Sequence, residues 1–537
     1  MKISHLRRVA VMTVGALIAS AAIALGAAPA WAVGTTYYID AVAGSDAQAG
    51  TTPATAWRSL AKVNATTFSA GDQILFHTDQ SWAGQLKPKG SGSAGNPIVI
   101  SSYGGGDRPF FDGGSLTEGG TVYLKNQSYW TISDLEIVND SGKGPFVAAE
   151  ARWGILVLND GGGLLKGITI EDNYVHDVNG CFDCTGIGNS HTNGGIVVGA
   201  NLSTVVSFKR DSYDGVDIRN NRVDQVGRTG IHFEDVSSGF YLWVDPAAIS
   251  KNVTIAGNHV SMTDSDGITV RGARDVLIEH NVVEDAGQET SLAQNQPMAV
   301  GIWPAKTINT LIQYNEVYRT RYNHTDGQGY DVDLSSSDTT LQYNYSEENE
   351  GGFLLLMYSD VADIGTGVTV RYNVSVNDGT AHQKGIFAFS YGVKPQTHIY
   401  NNTVFVPEGS QADIMHCETC NVSSAWSFRN NIVANFGSGG YGYPTANATF
   451  DSNTFHGNHP ASEPADPHKL TSDPQFLAPP TGPGYGAANA AGLQIPSTSP
   501  SSGTGVLISG NGGLDYFGNT VSSVAPPSRG FHEPLTH

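Results

Sequence analysis

Thr310-Leu-Ile-Gln-Tyr-Asn315 and Val368-Thr-Val-Arg-Tyr-Asn373 are two copies of the phrase that decides the fold. Each has apolar residues in alternation and then Asn, three residues after the second apolar position. The same Asn closes Ile168-Thr-Ile-Glu-Asp-Asn173, Val216-Asp-Ile-Arg-Asn-Asn221, Val253-Thr-Ile-Ala-Gly-Asn258 and Val276-Leu-Ile-Glu-His-Asn281, and it recurs at Asn344, Asn402 and Asn431. From Asn315 to Asn431 the spacing is 29 residues, four times running. A second phrase precedes each copy, as in Gly230-Ile-His-Phe, Gly267-Ile-Thr-Val, Gly301-Ile-Trp, Gly352-Phe-Leu-Leu and Gly385-Ile-Phe-Ala. A third follows, as in Tyr174-Val-His-Asp-Val and Val282-Val-Glu-Asp. Three short stretches of period two and no helical pattern predict three strands per repeat. One such repeat cannot bury its apolar face, whereas stacked repeats can. The Asn is expected at a tight corner, in the left-handed conformation and bonded to its equivalents above and below.

On these phrases the chain resembles the right-handed parallel β-helices of the pectin-lyase-like superfamily, over residues 90–455. The resemblance implies an all-β fold and a substrate groove over the first strand of each coil. It leaves the reaction open, because one fold hosts many chemistries. The Asp-Asp, Gly-His-Gly and Arg-Ile-Lys signatures of polygalacturonases are absent from the coils, and Tyr129-Trp-Thr-Ile-Ser-Asp matches the pectate lyase signature poorly. Residues 33–89 read as an N-terminal cap, with Thr55 capping a short helix through Val63. Half of the 24 prolines fall after residue 459. Residues 456–537 therefore read as an irregular strip packed along the coils, anchored by Phe476, Leu507, Ile508, Tyr516 and Phe517.

Lys2, Arg7 and Arg8, an apolar run and Ala30-Trp31-Ala32 form the order of a secretory signal over residues 1–32, with cleavage expected after Ala32 and a secreted product. The remainder holds 26 basic against 50 acidic residues. Such a surface repels nucleic acid and anionic membranes, so neither is expected as a partner. An extracellular carbohydrate is expected instead, bound by a monomer. Cys181-Phe-Asp-Cys184 and Cys417-Glu-Thr-Cys420 suggest a four-thiolate metal site in a reducing compartment. Seven Asn corners separate them, however, or roughly 34 Å at about 4.8 Å per coil. Two local disulfides, Cys181–Cys184 and Cys417–Cys420, are the expectation.

Alternation places the Ile of each Gly-Ile phrase inward and its neighbours outward. Aligning the phrases stacks His232, Thr269, Trp303, Asp333, Leu354 and Phe387 in one outward column. Glu234 and Arg271 lie in a second, and Asp331 sits among Gly230, Gly267, Gly301 and Gly352 in a third. His324-Thr-Asp326-Gly-Gln-Gly-Tyr-Asp331-Val-Asp333 is the segment richest in chemistry. Paired carboxylates in unlike surroundings divide into acid and base. Asp333, between Trp303 and Leu354, is expected as the acid, Asp331 among glycines as the base, and Glu350 as the third carboxylate. Trp303, His232, Glu234, Arg271, His324 and Asp326 are expected to bind substrate. No cofactor is required; calcium is the second reading of these carboxylates, with Asp264 and Asp266 as its ligands. The functional expectation is a glycoside hydrolase acting on an extracellular polysaccharide or oligosaccharide. A polysaccharide lyase and a non-catalytic carbohydrate-binding protein are the alternatives.

Overall fold

The computed structural model describes residues 34–142, 150–181, 191–200, 202, 211–235, 249–288, 298–323, 325–358, 363–381, 384–420, 422–482, 484 and 486–535. The expected signal at 1–32 and Cys184 lie outside them. The chain winds into a parallel β-helix with three long sheets of fourteen, thirteen and ten strands. The fourteen-stranded sheet holds the strand before each Asn, the thirteen-stranded sheet the strand after it, and the ten-stranded sheet the Gly-Ile phrases. Coil strands already begin at Thr36–Ile39 and Gln73–His77, inside the stretch expected as a cap, and end at Thr454–Gly457. The short helix near the start is Leu60–Ala65, and Ser59, not Thr55, caps it through a 3.2 Å bond from the Lys62 N–H.

The inward positions fuse into one dry core in which Ile231, Ile268, Ile302 and Val332 are fully buried. At one corner ten asparagines, from Asn173 to Asn453, form a ladder. Each Nδ2 donates to the Oδ1 of the next, for example Asn281 to Asn315 at 2.9 Å and Asn315 to Asn344 at 3.0 Å. The left-handed residue is the one before the Asn, not the Asn itself: φ is 54° at His280, 53° at Tyr314, 56° at Tyr343 and 52° at Tyr372. A bulky residue is disfavoured there. These four rings stack in sequence with centroids 5.0, 5.0 and 5.8 Å apart, which offsets part of that cost.

The glycines that open the Gly-Ile phrases have a packing reason. A Cβ at Gly230, Gly267 or Gly301 would sit 2.4, 2.4 and 2.3 Å from Cγ1 of Val260, Val283 and Val317 respectively. They make room for the valines of the same coils, rather than lining an outward column with Asp331 as expected. Beyond residue 457 the described residues are irregular except for the helix Ala487–Gly492, and several of them pack against the coils. Leu493 and Phe531 join Tyr318, Tyr345 and Phe405 in a second core, with Phe476, Tyr516 and Phe517 against it. Ile508 packs on the tyrosine stack, whereas Leu507 is exposed.

Candidate active site

The outer face of the ten-stranded sheet carries the charged side chains, and its register differs from the sequence alignment by two residues at Gln328–Val332 and by one at Gly352–Met357 and Gly385–Ser390. Ile302 lies opposite Tyr330, not Val332. Tyr330 points inward and is fully buried, and its one O–H is shared between the backbone carbonyls of Asn315 and Tyr345, with the hydroxyl oxygen 3.0 and 2.9 Å from them. A phenol can occupy a dry core once its O–H has such acceptors. Asp331 therefore joins the column of His232, Thr269 and Trp303, and continues to Leu355, Ala388 and His416. Asp333 falls in the column of Glu234, Arg271 and Ala305. Leu354 and Phe387, expected outward, belong to the core.

Two buried charge networks occupy this face. Arg271 Nη1 lies 3.2 Å from Glu234 Oε1, on adjacent strands as expected, though below the surface. Glu234 Oε2 is 2.9 Å from His232 Nε2, and His232 Nδ1 contacts the Thr269 hydroxyl. Burial alone would raise Glu234, but Arg271 and His232 hold it at about 2. In the second network Trp303 Nε1 donates to Asp266 Oδ1 at 2.9 Å, and His191 Nδ1 is 2.7 Å from Asp266 Oδ2 and 3.0 Å from Arg228 Nη2. Burial and Arg228 push His191 down to about 4. Both oxygens of Asp266, read from sequence as a calcium ligand, thus have polar partners on this face. Trp303, 6 % exposed, is a wall with His191 edge-on at 5.0 Å rather than an open sugar platform. His232 is fully buried and positions Glu234.

The aspartate segment lies beside these networks. Asp331 is buried, and among the described residues its Oδ1 has no hydrogen-bond partner. Burial and the nearby Asp333 and Asp326 push its pKa far up. Asp326, partly exposed at a left-handed turn, is raised to about 7 by burial, with Asp266 and Asp333 adding to it and Lys384 opposing. Asp333, also partly exposed, is raised by burial and opposed by the Leu334 N–H, which donates to its Oδ1 at 2.6 Å, and by Lys394 and Arg271. Glu350 is committed elsewhere: its Oε2 accepts the Tyr322 N–H at 2.7 Å. His324 lies outside the described residues. Arg319 pairs with Glu284 and Asp285 at 2.8 Å beside the thirteen-stranded sheet.

Sequence reasoning passed over His191, Arg228, Lys306, Lys394 and Asp363. His191 and Arg228 share one signal with Asp266: a charged or polar residue just before a Gly-Ile phrase, at the mouth of the strand. Lys306, lowered to about 8 by burial and Arg271, follows the strand Ile302–Ala305 directly. Nothing in the sequence marks Lys394 or Asp363. Cys417 and Cys420 face each other with Cα atoms 5.8 Å apart, a span that suits a disulfide.

A family model described as a right handed beta helix region matches residues 204–404. A lacto-N-biosidase of Bifidobacterium longum subsp. longum is 32 % identical over 482 residues, covering 75 % of this chain. The chain spans 29 % of the length of that curated relative. The solved GH136 lacto-N-biosidase from Eubacterium ramulus is 24 % identical with a TM-score of 0.61, over 79 % of this chain and 68 % of that one. The structure of XylC with xylose is 13 % identical with a TM-score of 0.51, over 93 % and 98 % of the two chains. At these identities the solved structures speak for the fold. By its coils, its asparagine ladder and these likenesses, the chain is a right-handed parallel β-helix protein.

Proposed function

We propose that the chain is a secreted glycoside hydrolase acting on an extracellular oligosaccharide or polysaccharide, with Asp326 and Asp333 as its catalytic carboxyls. The observation that carries this reading is the carboxyl cluster itself, in which Asp326 and Asp333 keep some exposure while Asp331 lies buried with them. Glycoside hydrolysis needs one carboxyl that holds a proton near neutral pH and one that stays ionised. Asp326, raised to about 7, fits the proton donor to the glycosidic oxygen. Asp333 is raised by burial, but the Leu334 N–H, Lys394 and Arg271 all oppose that rise, and it fits the negative charge at the anomeric carbon. Asp331, with a buried and unpartnered oxygen, fits a neutral acid between them in place of the base expected from sequence. His232, Glu234, Arg271 and Trp303 would shape the sugar subsite.

The lyase alternative needs a cation for a uronate carboxylate. Arg271 is paired with Glu234, Lys394 with Asp363 at 3.0 Å, and Lys384 with Glu418, which favours a neutral sugar. The relative named lacto-N-biosidase places a lacto-N-bioside first among substrates to try. The test incubates the protein lacking residues 1–32 with neutral and uronic oligosaccharides and polysaccharides. New reducing ends, lost in Asp333→Asn and Asp326→Asn, are expected. Unsaturated, ultraviolet-absorbing ends would make the protein a lyase, and no product from any substrate would leave carbohydrate binding as its role.

A further inference from the structure

Lys394 and Asp363 form an ion pair with Nζ 3.0 Å from Oδ2 and side chains only 1 % and 0 % exposed. Taking both charges out of water costs several kcal/mol each, and an apolar pair of similar volume commonly serves stability as well. What the pair holds is therefore more informative than that it exists. The other oxygen of Asp363 accepts the N–H of Ser335 at 2.9 Å and of Gly365 at 2.7 Å. Ser335 stands two residues after Asp333 with φ of 58°, a conformation a serine adopts only when its surroundings impose it. In the same turn the Leu334 N–H donates to Asp333 Oδ1 at 2.6 Å, and the Ser336 N–H reaches the Asp333 carbonyl at 3.4 Å. Lys394 is itself anchored: its carbonyl accepts the Thr397 hydroxyl at 2.8 Å, and its ammonium lies 5.8 Å from the centre of the Tyr358 ring. One buried carboxylate, neutralised by one buried ammonium, thus holds the turn that aims the Asp333 side chain.

We propose that Lys394 and Asp363 are a positioning clamp for Asp333, fixing the turn that follows it and supplying the buried positive charge that faces it. The proposal deepens the glycosidase reading and rests on it only in treating Asp333 as catalytic. The charged groups facing Asp333 are Asp331, Asp326 and Lys306 besides Lys394, Asp363 and Arg271. Burial raises Asp333; among the cations that oppose that rise Lys394 comes before Arg271 in weight, and it also opposes the rise of Asp331.

The test is a carboxyl titration that needs no turnover. Protein labelled with carbon-13 at the aspartate carboxyls is titrated by NMR, with the Asp333 signal assigned by its loss in Asp333→Asn. In Lys394→Met the Asp333 titration should move up by about one pH unit. The acid limb of kcat/KM should move with it and kcat should fall at least tenfold, while Lys394→Arg restores most of both. An unmoved Asp333 titration in folded Lys394→Met overturns the clamp. If that variant does not fold, Lys394→Met/Asp363→Asn, which leaves no buried charge unpaired, takes its place, and a smaller upward movement is required. A moved titration together with full activity in Asp333→Asn would keep the clamp and remove the catalytic reading.

Discussion

The asparagine corner and the aspartate segment are both rows of short polar side chains on the same stack of coils, and they are satisfied in opposite ways. At the corner each amide meets its full set of partners. Asn315 Nδ2 donates to Asn344 Oδ1 and to the carbonyls of Ile278 and Gln313, and its Oδ1 accepts from the side chain and backbone N–H of Asn281. At the segment, Asp331 buries an oxygen that accepts nothing among the described residues, beside two further acids. Repetition allows the first arrangement, since every coil offers the next the same donors and acceptors. The second exists where repetition stops: Trp303, Asp331, Leu355 and Ala388 succeed one another in a single column. Stability resides in the repeated positions and chemistry in the unrepeated ones.

That contrast breaks if the two rows respond alike to mutation. The largest separation should come from Asn315→Ala set against Asp333→Asn. The first leaves several buried groups without partners, each worth about 1–3 kcal/mol, and should lower stability by about 3–5 kcal/mol in urea melts. The second should change stability by less than about 1 kcal/mol while lowering kcat/KM about 10²–10⁴-fold. Similar stability losses in both would end the distinction. Next in size, Ile268→Ala in the repeated core should cost about 2–5 kcal/mol. Tyr330→Phe follows at about 1–2 kcal/mol, because it removes a hydroxyl bonded to two carbonyls. An unaltered melt there would restore the register expected from sequence. The smallest effect concerns pH. Asp326, raised to about 7, binds more protons folded than unfolded between its ordinary value and 7. Its contribution to stability is therefore complete below about 4 and lost as pH rises through 7. Asp326→Asn should flatten the decline of Tm across that window, and an unchanged slope would show that its carboxyl is not held up.

The repeat made the coils legible, since 29-residue spacing and period-two alternation leave little else to build. It also placed Glu234 beside Arg271. It misplaced Asp331 and Asp333 because the apolar residue that marks the inward position is a tyrosine at that strand, and a valine two residues on offered a more familiar match. The glycines were misread because a missing side chain says nothing about which face the space opens on. Lys394 and Asp363 stayed hidden for another reason. Their partners are backbone N–H groups and each other, 31 residues apart, and no local pattern records such a contact.

The asparagine ladder can also be read as a polymer with a beginning, a direction and an end. It is initiated at Asn173, whose Oδ1 takes only the backbone N–H of Leu135, and it propagates by each amide handing a hydrogen to the next. It terminates at Asp466, whose Oδ2 accepts the side-chain and backbone N–H of Asn453 at 2.9 and 2.8 Å. A carboxylate accepts but has no hydrogen to hand on. The relay of side-chain hydrogens is therefore closed at that end. The chemical stop of the relay is an acid, reached from the irregular strip, where every rung before it carries an amide.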